Sequence, residues 1–586
     1  MNTAAWLLNT AWMLKCSAEH AAFARATRRV ADSQASILRQ TLRANRDTVF
    51  GRAHGFADIT DPRVYQQRVP LATYDDFAGA ITGMAAGESG VLTREPPRLL
   101  EPTSGTTGGE KFIPYTDGLR RQFQRGVAAW IADLFRRRPH VRCGRAYWSI
   151  SPALGPRRRS PGGIPIGFDD DAAYLGRMEQ FALRRLLVAP VGLTRMPDLT
   201  AFRYVTLLSL LAAEDLALIS IWSPTFLTAL LGPLEEWQEQ LCDDLRHGTL
   251  STELPGAAQS GSRRRAWLRP DPARAAFLSR TLQADAPRCD RLRRIWPRLA
   301  LISCWTDAAA ARFLPDLQRL FPGVEIQPKG LLATEGFVSF PLLDRPGAAL
   351  ALRCHFFEFE ELAGTHCRLA HELELGSRYR MILTTAGGLY RYQLRDEVEV
   401  VGFEQQCPLL RFAGKSDAVS DLVGEKLSEE HVRAVLDDIF RRLALQPHFS
   451  LLAPILGRPP RYHLYVQAAG FSSASPLLGL LRERLESGLA RNPHFRQARA
   501  AGQLGPIGIS ALAAEGNSAW NLYERRCLEE GQKCGNIKPM ALDRRMGWDK
   551  VFACLEEAGA GDRRQTVFPP PPTPAPSLHQ ASGAGG

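Results

Sequence analysis

The chain has 586 residues, too many for one hydrophobic core, so two or more domains are expected. With 45% hydrophobic and 23% charged residues it falls outside the composition of disordered chains, and no apolar run reaches the ~20 residues of a membrane-spanning helix. The formal charge of +12 rests on eight lysines and sixty-five arginines. The arginine triplets at 136–138, 157–159 and 263–265 are scattered and lack interleaved aromatics, which reads as solvated surface rather than a nucleic-acid stripe.

Eleven cysteines, an odd number with no Cys-x-x-Cys pair, argue against a disulfide framework and a structural zinc site. Cys354-His355 and Cys367 with His371 read as packed strand residues and ordinary loop histidines. The N-terminus has no Lys or Arg ahead of its apolar stretch, and its apolar spacing continues through Phe23, Ile37 and Leu42. Paired amphipathic helices are expected there rather than a secretory signal. A cytoplasmic protein, monomeric and with no membrane span, is the resulting expectation.

In chain order, short strands are expected at Phe112–Tyr115, Ala146–Ser151, Leu216–Trp222, Leu299–Trp305, Val324–Ile326 and Cys354–Phe359. Helices are expected at Asp117–Arg137 and at Asp307–Leu320, the latter capped by Thr306. This alternation predicts an α/β fold with β-sheets and packed helices. Strands at Arg380–Thr385 and Val398–Phe403 flank a Gly387-Gly388 turn. Past Gly414, a helix at Ser428–Leu443, a strand at Tyr462–Val466 and a helix at Ser475–Arg491 predict a smaller α+β domain. The expected division is 1–413, 414–560 and a disordered Pro/Gly/Ala-rich tail at 561–586, with an exposed insertion at Pro255–Pro270.

Five segments carry chemistry. Thr103-Ser104-Gly105-Thr106-Thr107-Gly108-Gly109-Glu110-Lys111 combines tight-turning glycines, hydroxyl donors and a cation, a loop suited to polyphosphate. It is not a Walker A loop, because Glu110 precedes Lys111 and Phe112 follows it. Gly330–Gly336 ends an apolar run in Thr334-Glu335, where a carboxylate could hold Mg²⁺ against phosphate oxygens. Asp396 lies between two aromatic-rich strands, placed to accept ribose hydroxyls or simply to serve a hairpin turn. Gly414-Lys415-Ser416-Asp417 and Lys426 stand where the second domain begins, a plausible hinge. Gly535–Pro539 carries Lys538 on a loop.

In this order, the five segments resemble those of the firefly-luciferase-like adenylate-forming superfamily. The phrases EPTSGTTGGEKFIPYT (101–116), LISCWTD (301–307), KGLLATEGFVSF (329–340), HFFEF (355–359) and TTAGGLYRYQLRDEVEVVGF (384–403) are similar to the Gretchen Hagen family of acyl acid–amido synthetases, bacterial-type branch. The resemblance implies a large adenylation domain and a mobile C-terminal domain. It implies ATP and Mg²⁺ as cofactors, with a carboxylic acid and an amine, in particular an amino acid, as substrates. A thiol acceptor such as coenzyme A, or a silent protein keeping the fold, are the alternatives. It further implies that Ser104, Gly105, Thr106, Thr107, Gly108 and Lys111 serve the phosphates. Thr334 and Glu335 form the Thr-Glu motif, with Glu335 the metal ligand. Asp396 takes the ribose, Phe403 closes the same motif, Lys426 reaches phosphate, and Lys538 is the catalytic lysine. The family usually has Gly where this chain has Arg395, and the superfamily hinge usually has Arg where it has Lys415. The acid pocket is expected between helix 117–137 and the strands near 146–151 and 216–222, walled by Tyr147, Trp148 and Trp222.

Overall fold

The structure is a computed structural model. It describes residues 2–103, 111–148, 158–167, 185–188, 199–250, 264–265, 268–362, 366–415, 419–423, 425–513, 518–530, 532 and 537–555. The predicted phosphate-loop residues Ser104, Gly105, Thr106, Thr107 and Gly108, most of the 255–270 insertion and the 561–586 tail lie outside the described residues.

The two expected N-terminal helices form at Thr3–Ala26 and Val30–Asn45. The first packs along Asp117–Arg137, a helix that starts because Thr116 accepts the Leu119 N–H (3.1 Å) and that ends at basic residues before Pro139. Its buried stripe, Leu119, Phe123, Gly126 and Trp130, recurs every three or four residues. Gly126 is required there, since a Cβ would stand 2.3 Å from the Phe337 ring.

Among the described residues, a parallel four-stranded sheet runs in the order Glu325–Pro328, Leu301–Cys304, Leu216–Ser220, Arg145–Trp148. Strand alternation splits its side chains between two cores. Leu218 and Leu301 join the cluster that includes helix 117–137, while Ile219 and Ile302 join a second cluster with the helices of 199–321. Beside it lies a seven-stranded antiparallel sheet whose centre is Arg378–Thr384, Tyr392–Glu404 and Cys407–Lys415. Residues 427–542 contribute a further core around a three-stranded sheet, Pro447–Ile455, Arg461–Ala468 and Gly508–Ala511.

Two expectations change. The helix expected at 307–320 is a 3-10 turn, Ala308–Phe313, followed by an α-helix, Leu314–Leu320, because Pro315 at the start of the latter lacks the N–H a continuous helix would use. The second aromatic-rich strand begins at Tyr392 rather than Val398, since Tyr392 and Leu394 are buried and Tyr392 and Gln393 pair with Leu383 and Ile382.

Arg391 and Glu358 lock the antiparallel sheet to the N-terminal helices. Both are buried: the guanidinium bonds both carboxylate oxygens at 3.1 Å and also the carbonyls of Gln66 and Val69 at 2.8 Å. Removing one partner strands a buried charge. Arg391→Met is expected to lower unfolding free energy by about 3–5 kcal/mol, and the double variant Arg391→Met/Glu358→Leu to recover much of it, both read from urea denaturation midpoints.

Candidate active site

The carboxyl ends of the parallel strands, where α/β folds bind ligands, meet the interrupted centre of the antiparallel sheet. In the Tyr392–Glu404 strand the pairing with Arg378–Thr384 jumps from Gln393/Ile382 to Glu397/Arg380, a bulge around residues 394–396. Arg395 at its apex has φ +62°, the left-handed conformation that the family's usual glycine would adopt. Its side chain is exposed. The bulge directs Asp396 inward, where it is buried opposite Lys415 on the neighbouring strand. Lys415 Nζ stands 3.2 Å from Asp396 Oδ1, yet this oxygen accepts no properly oriented hydrogen bond.

Thr334 and Glu335 are the two central residues of a tight hairpin, closed by reciprocal hydrogen bonds between Ala333 and Gly336 (3.1 and 3.2 Å). Gly330, at φ +75°, opens it, and a Cβ there would meet the Ser339 carbonyl oxygen at 2.5 Å. The half-buried Glu335 carboxylate lies 3.5 Å from Tyr392 Oη. Burial raises its pKa, and the charge of Lys415 opposes that shift. An acceptor-only carboxylate of this kind suits Mg²⁺, which usually takes one or two carboxylates together with substrate phosphates.

The hairpin is braced by a histidine read from sequence as ordinary. His355 is fully buried, and burial pushes its pKa down to about 3, so the ring is neutral. Its Nε2 accepts the Phe337 N–H (2.9 Å), which leaves the proton on Nδ1 to donate to Gln122 Oε1 (3.0 Å). The same Gln122 oxygen accepts the Ala386 N–H (2.9 Å). One helix residue thus ties the Thr334–Glu335 hairpin to the Gly387-Gly388 turn.

Lys538 joins the cluster from the C-terminal segment. Its ammonium lies 4.4 Å from the centre of the Trp305 ring and 5.6 Å from that of Phe412. The residue keeps solvent access, but desolvation in the crowded cleft, with the positive charge of Lys415, lowers its pKa to about 8, and Asp396 opposes the shift. Asp307 orders the wall between them by accepting the Phe412 N–H (3.2 Å). Burial, its largest influence, raises its pKa.

Lys111 begins the Lys111–Tyr115 strand with its ammonium 5.1 Å from the Tyr74 ring centre. Phe403 is a correction: it is exposed, seven residues (about 23 Å of strand) beyond Asp396, and pairs with Pro408 near the hairpin end. It does not join the cluster. Lys426 is exposed at φ +45°, held through its carbonyl by Asn492 Nδ2 (3.1 Å). Sequence reasoning missed Trp305, Phe412, Tyr392, Gln122 and His355 as members of the site, though LISCWTD, HFFEF and TTAGGLYRYQLRDEVEVVGF contained three of them.

The architecture is that of acyl acid amido synthetases. The chain superposes on the GH3.15 acyl acid amido synthetase in complex with 2,4-DB with a TM-score of 0.79 at 20% identity, covering 93% of this chain and 96% of that one. It matches the GH3 family N-terminal domain over residues 19–326 and the GH3 family central domain over residues 348–415. The chain belongs to the GH3 family. It is 24% identical over 514 residues to indole-3-acetic acid-amido synthetase GH3.3 of Arabidopsis thaliana, covering 83% of this chain and 85% of that protein. It is 28% identical over 477 residues to probable indole-3-acetic acid-amido synthetase GH3.12 of Oryza sativa subsp. japonica, covering 72% and 75%.

A lysine whose pKa is lowered to about 8 is ammonium below that pH and free amine above it. Amine-selective labelling followed by mass spectrometry is expected to reach half its plateau at Lys538 near pH 8. In Lys415→Met that midpoint moves upward, since a like charge has been removed.

Proposed function

We propose that the chain is an AMP-forming ligase that activates a carboxylic acid with ATP and transfers the acyl group to an amino acid, forming an amide. The convergence of Asp396, Glu335, Lys415 and Lys538 at the carboxyl ends of the parallel strands, in a GH3-family chain, carries this reading.

A carboxylate is a poor acylating agent, so the first step replaces its oxygen with a leaving group. A carboxylate oxygen attacks the α-phosphorus of ATP, the bond to the β-phosphate oxygen breaks, and pyrophosphate leaves. Lys538, as ammonium at neutral pH, steadies the negative charge gathering between acid and α-phosphate. Asp396 offers its buried carboxylate to ribose hydroxyls, with Lys415 holding it in place. Glu335 would hold Mg²⁺, which supplies charge neutralisation to the phosphates. Ser104, Gly105, Thr106, Thr107, Gly108 and Lys111 serve as the phosphate loop, Thr334 supports Glu335, and Lys426 approaches phosphate from the C-terminal segment.

In the second step the amine nitrogen attacks the acyl carbonyl carbon, AMP departs, and the nitrogen loses its proton to solvent or a nearby base. The unit beyond Gly414 turns about 414–417 between the steps, withdrawing Lys538 and admitting the amine. A division at 413/414, a chain acting as a monomer in the cytoplasm and descent from a bacterial-type branch complete the proposal. The described cysteines are all free, which suits a reducing compartment.

Pyrophosphate exchange into ATP with a panel of carboxylic acids tests the first step, and product mass spectrometry with amino acids tests the second. Lys538→Ala is expected to slow exchange by about 100- to 1,000-fold with an unchanged circular dichroism spectrum. Wild-type exchange in that variant would remove Lys538 from the mechanism.

A further inference from the structure

The face of the parallel sheet that looks toward helix 117–137 carries an unusual row. By strand register Trp148 pairs with Ser220, Ser220 with Ser303, and Ser303 with Gln327, so four side chains line up across all four strands. The row below it is apolar, with Leu218 beside Leu301. The row above, at the strand ends, is Trp222, Trp305 and Lys329. An apolar recess lies against the same face, lined by Trp12, Phe135, Trp148, Leu187 and Leu218.

A hydrocarbon core would place Val, Ile or Leu at these sites. Instead Ser220, Ser303 and Gln327 are 5%, 0% and 2% exposed. Gln327 Oε1 accepts from Trp130 Nε1 (3.1 Å). An indole nitrogen can only donate, so this contact fixes which end of the amide is oxygen and turns the NH₂ away. That Nε2 has no hydrogen-bond partner, and neither does Ser303 Oγ beside it. A buried polar group left without a partner is destabilising, so each invites one. Lys329 Nζ donates to Ser220 Oγ (2.5 Å) and lies 4.9 Å from the Trp222 ring centre, while the Trp222 and Trp305 rings are 5.7 Å apart. Lys538 stands on Trp305 from the nucleotide side. From Lys538 inward, the order is therefore indole pair, then a row of donors, then an apolar recess.

We propose that this row is the selectivity element of the acid site, and that the acid this chain takes carries a second hydrogen-bond-accepting oxygen on its body, set apart from the carboxylate that is activated. The activated carboxylate lies beside Lys538, the body lies along Trp222 and Trp305, and the distal oxygen accepts from Ser303 Oγ and Gln327 Nε2, with Lys329 at the edge adding attraction where that oxygen is charged. A plain hydrocarbon acid leaves both buried donors unmet, and a site built to hydrogen-bond a substrate discriminates strongly against analogues that cannot comply. The inference rests on the acid-activating reading for the kind of ligand, but its test does not require turnover.

Binding of matched acids to the full chain is measured by calorimetry without ATP: phenylacetate against 4-hydroxyphenylacetate, hexanoate against 5-oxohexanoate, and hexanoate against adipate. The oxygen-bearing member of at least one pair is expected to bind tenfold or more tightly. Ser303→Ala and Gln327→Met are expected to erase that ratio while the hydrocarbon member still binds, which also reports that the pocket is intact. Lys329→Met separates the two acceptor types, cutting the adipate gain but not the oxohexanoate gain. Equal or tighter binding of every hydrocarbon member, no binding by any acid, or a ratio untouched by Ser303→Ala and Gln327→Met would each overturn the proposal. Acid-dependent pyrophosphate exchange without discrimination would sink this inference alone, whereas discriminating binding without exchange would sink the ligase reading alone.

Discussion

The site depends on one left-handed residue in a strand. Without the bulge at Arg395, strict alternation would carry Asp396 along the pleat and its pairing with Lys415 would be lost. A glycine takes φ +62° at no steric cost, whereas an L-residue with a side chain pays about 1–2 kcal/mol. The exposed arginine accepts that cost, and neighbouring strand pairs on both sides hold it there. Asp396 then becomes a buried carboxylate facing a lysine. That lysine ends the Cys407–Lys415 strand, just where the chain departs for its C-terminal segment.

The cleft concentrates compact ammonium groups against aromatic faces. Lys538 lies on Trp305, Lys329 on Trp222, and the two indoles touch each other. In a chain whose basic residues are nearly all arginine, lysine at these positions offers a small charge with freely turning donors. A guanidinium would stack flat and hold a fixed fork. Asp396 and Lys415 act on Lys538 in opposite directions, and desolvation outweighs both.

Local signals read from sequence survived where the chemistry was local. The helix at Asp117–Arg137 appears at its expected bounds because its cap, stripe and basic end are all short-range features. The C-terminal helix forms within a residue of its expected start, because the Ser428 hydroxyl accepts the His431 N–H and caps it. The Asp307–Leu320 reading failed because a proline two residues into a turn outweighs apolar spacing. The second aromatic strand starts earlier than expected because pairing partners distant in sequence extend it through Arg395-Asp396.

The sequence by itself determined the order of the motifs, the family they indicate and the residue types at the centre: two carboxylates and two lysines. Motif order is linear information, and so are caps and turns. Only the tertiary structure decided that Phe403 stands apart, that a histidine and a glutamine brace the Thr334–Glu335 hairpin, and that Ser220, Ser303 and Gln327 form one row. Those three residues come from strands up to about a hundred positions apart, each with an unremarkable alternation of its own. Parallel register is set by how crossover helices pack, so no single segment carries the information that makes them neighbours.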